Sequence, residues 1–159
     1  METLPESDRA RESLELILFL IRGQEYCIDI KRVLEIRGWS PATPVAWAPE
    51  HVHGVINLRG KVIAVVDLGA LLGAPITEPG ARNVIIVAML GDQRVGLLVD
   101  AVSETLCVET SQIHATPRAA TPADHAGRGA LGFLTLGERM VSVIDLDRYQ
   151  SDAVLHEAA

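Results

Sequence analysis

The stretch HVHGVINLRGKVIAVVDLGALLG, residues 51–73, contains two β-prone apolar runs joined by a tight turn. The first run is His53–Leu58. The second, Lys61–Val66, is apolar at nearly every position, which is typical of a strand covered on both faces. Arg59-Gly60 lies between them, and a glycine at the second central position suits a turn that needs a positive φ angle there. The stretch therefore predicts a β-hairpin with an arginine at its tip.

Similar runs elsewhere predict a mainly β fold. They are bounded by Gly, Pro, Asn or Asp, as are the short strands of small barrels. The predicted strands are Leu14–Ile21, Tyr26–Ile30, Val33–Ile36, Val84–Leu90, Val95–Val99 and two within Leu131–Ile144. Glu109–Arg128 is polar and contains two prolines, so it predicts a long surface loop.

Two aspartates are placed to cap short helices. Asp67 precedes Leu68–Leu72, which is followed by Gly73, and Asp145 opens the segment Asp145–Gln150. An aspartate at this position accepts a hydrogen bond from a backbone N–H of the first turn. The alternative is that the two aspartates form a catalytic carboxylate pair.

The second half of the sequence repeats residue types of the first half in the same order. At an offset of 78 residues the matches are Gly54/Gly132, Leu58/Leu136, Lys61/Arg139, Val65/Val143, Asp67/Asp145 and Leu68/Leu146. Earlier in the chain the matches are Gly23/Gly91 and, after one inserted residue, Val33/Val102 and Glu35/Glu104. The pattern predicts a duplicated β unit, which means two small barrels packed together. The alternative is that any two aliphatic β-meanders look alike.

The arginine turn interrupts this repeat. Arg59 falls on Gly137, and Gly60 falls on Glu138. If the halves are related, the fold does not require an arginine at this turn. A solvated turn residue is the default interpretation. A binding anchor is the alternative, because a guanidinium is planar, always charged and weakly hydrated.

The composition argues against several classes of protein. The 159 residues are 48% hydrophobic but only 4% aromatic, which predicts an aliphatic core for one domain or two small subdomains. A formal net charge of −7 is unfavourable for binding a nucleic-acid backbone. No apolar run approaches the roughly 18 residues of a membrane span. Residues 1–13 lack the apolar segment of a secretory signal and predict a mobile tail, and Cys27 and Cys107 are expected to be buried thiols of a cytoplasmic protein.

No motif indicates catalysis or a cofactor. The phosphate-binding, zinc-protease and serine-hydrolase signatures are absent from the sequence. His51 and His53 would share one face of a strand; we expect a surface pair, and a metal site is the alternative. That pair is the only support for a second function, a small β-barrel enzyme or ligand- or metal-binding protein with a site between the barrels. Trp39 and Trp47 are expected to pack against a barrel, with a partner contact as the alternative.

Several motifs together resemble the CheW family, the coupling proteins of bacterial chemotaxis. The central signature is Gly54-Val55-Ile56-Asn57-Leu58-Arg59-Gly60, followed by the apolar run and Asp67-Leu68. YCIDI at 26–30, VLEIR at 33–37 and VIDL at 143–146 extend the resemblance. The family-like domain then covers residues 14–150, with residues 1–13 and 151–159 as terminal tails.

The resemblance implies two intertwined, SH3-like, five-stranded β-barrels with short helices. It implies a cytoplasmic, non-enzymatic adaptor without cofactor or metal, recruited to chemoreceptor arrays at the inner membrane. Its partners would be the cytoplasmic tips of chemoreceptors and the regulatory domain of a CheA-type histidine kinase. Nucleic acid and direct membrane insertion are not implied.

The resemblance also implies a binding surface. Arg59 would face the receptor, with Val33 and Glu35 on the same surface. The turn that presents it would be shaped by Gly54, Asn57, Leu58 and Gly60. The motifs identify neither the kinase-facing residues nor the particular receptors and kinase paralogue. They also leave open whether the pathway is flagellar.

Overall fold

The computed structural model describes residues 13–76, 78–115 and 130–149 as a mainly β protein. Within these ranges a short α-helix, α1 (Leu68–Leu71), accompanies 3₁₀ helices at Ile30–Arg32, Thr110–Gln112 and Leu146–Tyr149. None of these helices is long and apolar enough to cross a membrane. The strands are β1 (Ser13–Ile21), β2 (Gln24–Asp29), β3 (Val33–Gly38), β4 (Val52–Leu58), β5 (Lys61–Asp67), β6 (Val84–Leu90), β7 (Gln93–Val99), β8 (Ala101–Glu109), β9 (Ile113–His114), β10 (Ala130–Leu136) and β11 (Arg139–Ile144).

The strands form two sheets that exchange a hairpin between the halves of the chain. Sheet A has the order β8-β1-β2-β11-β10-β9, and sheet B has the order β3-β6-β7-β5-β4. The β1–β2 hairpin of the first half therefore lies among strands of the second half. The β6–β7 hairpin of the second half lies among strands of the first half. Each sheet is complete only with a hairpin from the other half.

Strand pairing repeats between the two sheets. Each sheet contains one parallel pairing, β2 with β11 in sheet A and β5 with β7 in sheet B. The β3–β6 pairing shifts register around Leu34, and the β1–β8 pairing shifts register around Ser103. Residues that occupy the same place in the two sheets are called counterparts below. This agreement is expected of a duplicated unit and not of two unrelated meanders.

The register of the strand pairings corrects one detail of the predicted repeat. Ile21 pairs with Gln24 across the first turn, and Leu90 pairs with Gln93 across the third. Arg22, not Gly23, is therefore the counterpart of Gly91. One offset of 69 residues applies from β1 to β3, so no residue is inserted. The later hairpins keep the predicted offset of 78, from Val52 and Gly54 to Ala130 and Gly132.

Both sheets curl until the chain that leaves one edge pairs with the other edge. Thr43, after β3, forms a two-bond bridge with Val55 of β4. Its counterpart is the pairing of His114 in β9 with Phe133 in β10. The two sheets are thus barrel-like, as predicted. Sheet B has the five strands expected of each barrel, whereas the two-residue strand β9 makes sheet A six-stranded.

Two glycines permit these crossings. A Cβ atom on Gly54 would lie 2.2 Å from the carbonyl oxygen of Thr43, and one on Gly132 would lie 2.2 Å from that of His114. No side chain fits at such a distance. The Gly54/Gly132 match in the sequence therefore records a close backbone approach in each barrel.

Strands β1 and β6 are buried on both faces because each separates two cores. Leu16 and Leu18 of β1 face a core within sheet A, and Ile85 and Val87 of β6 face a core within sheet B. The alternate residues of both strands face a central core between the sheets, namely Ile17, Phe19, Ile21, Ile86, Ala88 and Leu90. This arrangement accounts for the nearly uninterrupted apolar runs of these strands.

The prediction that Lys61–Val66 is covered on both faces is only partly correct. Burial begins at Ile63, whereas Val62 is 67% exposed. The predicted helix caps are confirmed. Asp67 Oδ1 accepts from Ala70 N at 3.2 Å, and Asp145 Oδ1 accepts from Asp147 N at 3.0 Å.

The region after β7 departs most from the sequence-based expectation. Strand β8 lacks a clear apolar pattern because most of its side chains are exposed, and it was not predicted. The predicted loop Glu109–Arg128 begins with a 3₁₀ helix and β9, while residues 116–129 lie outside the described residues. Cys107 is exposed on β8, so only Cys27 is the buried thiol expected of both. Of the predicted tails, Ser13 belongs to β1, and residues 1–12 and 151–159 lie outside the described residues.

Candidate functional site

The β4–β5 turn holds Arg59 in a strained backbone conformation. The φ angle is 53° at Arg59 and 86° at Gly60. Two positive φ angles are the pattern of a type I′ turn, whose twist matches a two-residue hairpin. A non-glycine residue in this region costs about 1 kcal/mol. The sequence predicted a positive φ angle only at Gly60.

Two neighbours stabilise this turn. The backbone N–H of Gly60 donates to Asn57 Oδ1 at 2.9 Å, which closes the turn with a side-chain bond. Leu58 is 7% exposed and belongs to the core within sheet B, so it anchors the end of β4. Asn57, Leu58 and Gly60 therefore shape the turn. Gly54 does not, because it lies at the crossing with Thr43.

The guanidinium of Arg59 lies outside the barrel and forms an ion pair. Its side chain is 78% exposed, and Nη2 donates to Glu35 Oε2 at 2.7 Å. Glu35 is on β3 and Arg59 follows β4, and these strands stand at opposite ends of the order of sheet B. The ion pair therefore bridges the two edges of the curled sheet and brings two of the three predicted binding residues together.

A second arginine lies beside the same carboxylate. Arg37 Nη1 is 3.9 Å from Glu35 Oε1, beyond hydrogen-bonding distance. Glu35 Oε1 and Arg37 Nε are both buried, and neither has a hydrogen-bond partner among the described residues. One carboxylate thus stands between two guanidiniums, so the group as a whole carries a positive charge.

The third predicted residue, Val33, is half-buried and packs against the central core. The residues of β3 that point outward are Leu34, at 48% exposed, and Ile36, at 44%. Sequence reasoning missed this apolar pair. The pair stands out only when the two halves of the sequence are compared, because the counterparts of Leu34 and Ile36 in β8 are the polar Ser103 and Thr105.

Comparison with known proteins identifies the family. The family model described as "CheW-like domain" matches residues 15–153. The chain belongs to the CheW-like family. The turn with Arg59, the ion pair with Glu35 and the exchanged hairpins are therefore features of a CheW-like domain.

The matches to named relatives cover most of this chain. "Chemotaxis protein CheW" of Rhizobium meliloti (strain 1021) is 49% identical over 133 residues, which are 84% of each chain. "Probable chemotaxis protein CheW" of Rhizobium etli is 43% identical over 152 residues, 96% of this chain and 94% of that one. The crystal structure of the scaffolding protein TtCheW from Thermoanaerobacter tengcongensis superposes with a TM-score of 0.75 at 28% identity. It covers 84% of this chain and 90% of that chain.

The histidine pair of this CheW-like chain is not the surface pair that the sequence predicted. Both side chains are partly buried, and the Nε2 atoms of His51 and His53 are buried without a hydrogen-bond partner. His53 Nε2 lies 3.7 Å from Asp67 Oδ2. Burial lowers the pKa of His51, and the Asp67 carboxylate opposes that shift. Among the described residues, no group of three potential ligands is placed to hold a metal ion.

The two tryptophans differ in their surroundings. Trp39 packs against the core within sheet B, as expected. Trp47 is 96% exposed and has a φ angle of 60°, so it does not pack against a barrel. The alternative, that Trp47 contacts a partner, stays a prediction.

A second arginine-glycine turn serves as an internal comparison. Arg22-Gly23, between β1 and β2, has φ angles of 52° and 79°, close to those of Arg59-Gly60. The backbone N–H of Arg22 donates to Asp100 Oδ2 at 2.6 Å. In the CheW-like chain the same turn geometry thus occurs twice in the first half. The turns of the second half place glycines at the arginine positions, Gly91 and Gly137.

Proposed function

We propose that this chain is a non-enzymatic adaptor that couples the cytoplasmic tips of chemoreceptors to a CheA-type histidine kinase. It would act in the cytoplasm, in arrays at the inner membrane. The relatives are chemotaxis proteins by name, and the structural neighbour is a scaffolding protein. The observation that carries the proposal is the exposed Arg59, held on a rigid turn at a position where the fold accepts glycine.

The energetics of the turn support a binding role for Arg59. Its counterpart is Gly137, with a φ angle of 62°, which adopts the left-handed conformation without strain. Arginine at this place lowers stability by about 1 kcal/mol relative to glycine. Its ion pair with Glu35 ends in a guanidinium that is 78% exposed, so water screens the pair and it offsets little of this cost. Folding alone therefore favours glycine at this turn, and the exposed guanidinium of Arg59 is available to a partner.

The rigidity of the tip also suits binding. The turn is closed by the Asn57 bond and anchored by buried Leu58. An anchor on such a tip loses less conformational entropy on binding than one on a long loop. We assign Val33, Glu35 and Arg59 to the receptor-facing surface, with Val33 supporting β3 from the core.

The kinase contact would use a different part of the surface. The family resemblance implies that the kinase regulatory domain has the same fold and packs against the adaptor. Contacts between unlike faces of related folds can extend into rings. An adaptor that holds receptor and kinase together needs both contacts at once, so the two surfaces must not overlap.

Binding to a receptor fragment tests the proposal. The titrated probe is a chemoreceptor cytoplasmic helical hairpin, and the matched variants are Arg59→Asn and Arg22→Asn. Asparagine tolerates positive φ angles, so both variants keep their turns. We expect Arg59→Asn to weaken binding by roughly tenfold or more and Arg22→Asn to leave it nearly unchanged.

Thermal melts separate a binding role from a structural one. We expect the melting temperature of Arg59→Asn to stay within about 2 °C of wild type, because the guanidinium that is lost is 78% exposed and Arg37 remains 3.9 Å from the Glu35 carboxylate. Equal weakening by both substitutions, or a large fall in melting temperature, would contradict the role of Arg59. Failure of the wild-type chain to bind either the receptor fragment or the kinase regulatory domain would contradict the adaptor function.

A further inference from the structure

We propose that Arg37 is a third member of the docking site: it takes the Glu35 carboxylate when Arg59 passes to a carboxylate of the bound partner. The inference rests on the proposed function, since it concerns the surface assigned there to the receptor tip. It adds a residue, a partner chemistry and an exchange of ion pairs to that surface.

The two barrels differ in the charged side chains that surround the corresponding glutamates Glu35 and Glu104. In sheet A, Arg139 lies between two carboxylates, 3.3 Å from Glu25 and 3.5 Å from Glu104. Glu104 is the counterpart of Glu35. Each barrel therefore joins the glutamate at this position to an arginine of the β4–β5 hairpin in sheet B or of the β10–β11 hairpin in sheet A. The charges around this glutamate are otherwise reversed, because the group in sheet B has one glutamate and two arginines, whereas that in sheet A has two glutamates and one arginine. Among the described residues, the group in sheet B therefore keeps one positive charge that its single carboxylate does not neutralise.

The fold does not require an arginine at position 37. Its counterpart on β8 is Leu106, an apolar residue that is also half-buried. Leucine thus fits this strand position beside Glu104, the glutamate that corresponds to Glu35. A guanidinium at this place has a role that the barrel alone does not explain.

The hydrogen bonding of Glu35 is incomplete. Its Oε2 accepts from Arg59, whereas Oε1 and the Nε of Arg37 are buried and have no hydrogen-bond partner in the part of the chain that the structure describes. A movement of about 1 Å brings Arg37 Nη1, now 3.9 Å away, into hydrogen-bonding distance of Oε1. Leaving a buried polar group unpaired is unfavourable, so the Oε1 atom of Glu35 gains from this movement.

Departure of Arg59 makes the movement of Arg37 decisive. The Glu35 side chain is only 23% exposed, so water would screen its charge incompletely once Arg59 left. Arg37 is already on the same face of β3 and can replace the lost pair. The Arg59 side chain is 78% exposed and can turn outward while its backbone stays fixed by the turn.

The partner group that fits the released guanidinium is a carboxylate. The five donors of arginine form a fork that binds both oxygens of a carboxylate. We therefore assign an Asp or Glu on the exposed face of the receptor helix as the group that receives Arg59.

A double-mutant cycle tests the exchange. The receptor hairpin fragment is titrated with wild type, Arg37→Leu, Glu35→Gln and the double variant, and leucine copies the counterpart Leu106. We expect Arg37→Leu to weaken binding about fivefold, as the loss of one ion pair predicts. In the Glu35→Gln background the same change should alter affinity by less than about 1.5-fold, because no charge remains to be taken over.

The control substitution is Arg139→Leu, which removes a paired arginine from the other barrel and should leave affinity within about twofold of wild type. Equal effects of Arg37→Leu in both backgrounds would overturn the exchange. So would the absence of any effect in the wild-type background.

A second experiment needs no partner. In Arg59→Ala the departure of Arg59 is permanent, so Arg37 should pair with Glu35 in the free chain. We expect the guanidinium NMR signals of Arg37 to show slowed rotation and proton exchange in Arg59→Ala, and the effect to vanish in Arg59→Ala/Glu35→Gln. Unchanged Arg37 signals would overturn the exchange even if receptor binding is confirmed. Slowed signals without receptor binding would refute the proposed function, and only the pairing of Arg37 with Glu35 in the absence of Arg59 would stand.

Discussion

At the scale of single residues, burial decides the chemistry of side chains that look alike in the sequence. Burial raises the pKa of the Cys27 thiol to about 12, which makes it unreactive, whereas Cys107 is exposed. The sequence predicted the same surroundings for both, because the exposed strand β8 has no apolar pattern to reveal it. The histidine pair was misplaced for a related reason. Its surroundings depend on the pairing of β4 with β5, which places His53 Nε2 3.7 Å from Asp67 Oδ2 and the Asp67 N–H against the carbonyl oxygen of His51.

His51 should make stability depend on pH. Burial holds its folded pKa below the usual 6.5, so the unfolded chain binds a proton more readily. Below that value the unfolded state carries more protons, and the free energy of unfolding falls as pH falls. We expect the melting temperature to drop between pH 7 and pH 5.5, and to drop less in His51→Gln. An equal drop in both proteins would show that other groups are responsible.

At the scale of elements, the two crossings explain why β4 and β10 each have a glycine as their third residue. Thr43 crosses β4 at Gly54, and His114 crosses β10 at Gly132. Pattern analysis found the matched glycines. It placed Gly54 in the arginine turn, because nothing local in the sequence shows that another strand passes over that glycine.

Substitution of either crossing glycine should be strongly destabilising. A Cβ atom at 2.2 Å from a backbone oxygen forces the crossing strands apart. We expect Gly54→Ala and Gly132→Ala each to lower the free energy of unfolding by about 3 kcal/mol, measured by urea denaturation. The control is Gly80→Ala, where a Cβ meets nothing within 4 Å and should change stability little. Tolerance of alanine at Gly54 would mean that the Thr43 bridge is dispensable.

At the scale of the whole molecule, the exchanged hairpins make the two barrels depend on each other. The central core joins residues of β1 and β2 with residues of β6 and β7. Sheet A without β1–β2, or sheet B without β6–β7, loses its middle strands. The duplication could be predicted from the ordered matches along the chain. The exchange could not, because each hairpin has the same local pattern whichever sheet it joins.

Neither half should therefore fold alone. We expect fragments 1–77 and 78–159 each to lack a cooperative thermal transition, since each would expose its part of the central core. An equimolar mixture should recover β-type circular dichroism and elute as a one-to-one complex. A cooperative melt of either isolated fragment would show that its barrel is complete without the exchanged hairpin.

The sequence by itself determined the mainly β class, the hairpins and their turns, the aspartate caps, the duplication and the family resemblance. Each of these depends on residues close in the chain or on matches between its halves. Only the tertiary structure decided which sheet each hairpin enters, the burial of the histidines, and the group of Arg37, Glu35 and Arg59. Those outcomes depend on contacts between distant residues, which form only when the sheets curl and their edges meet.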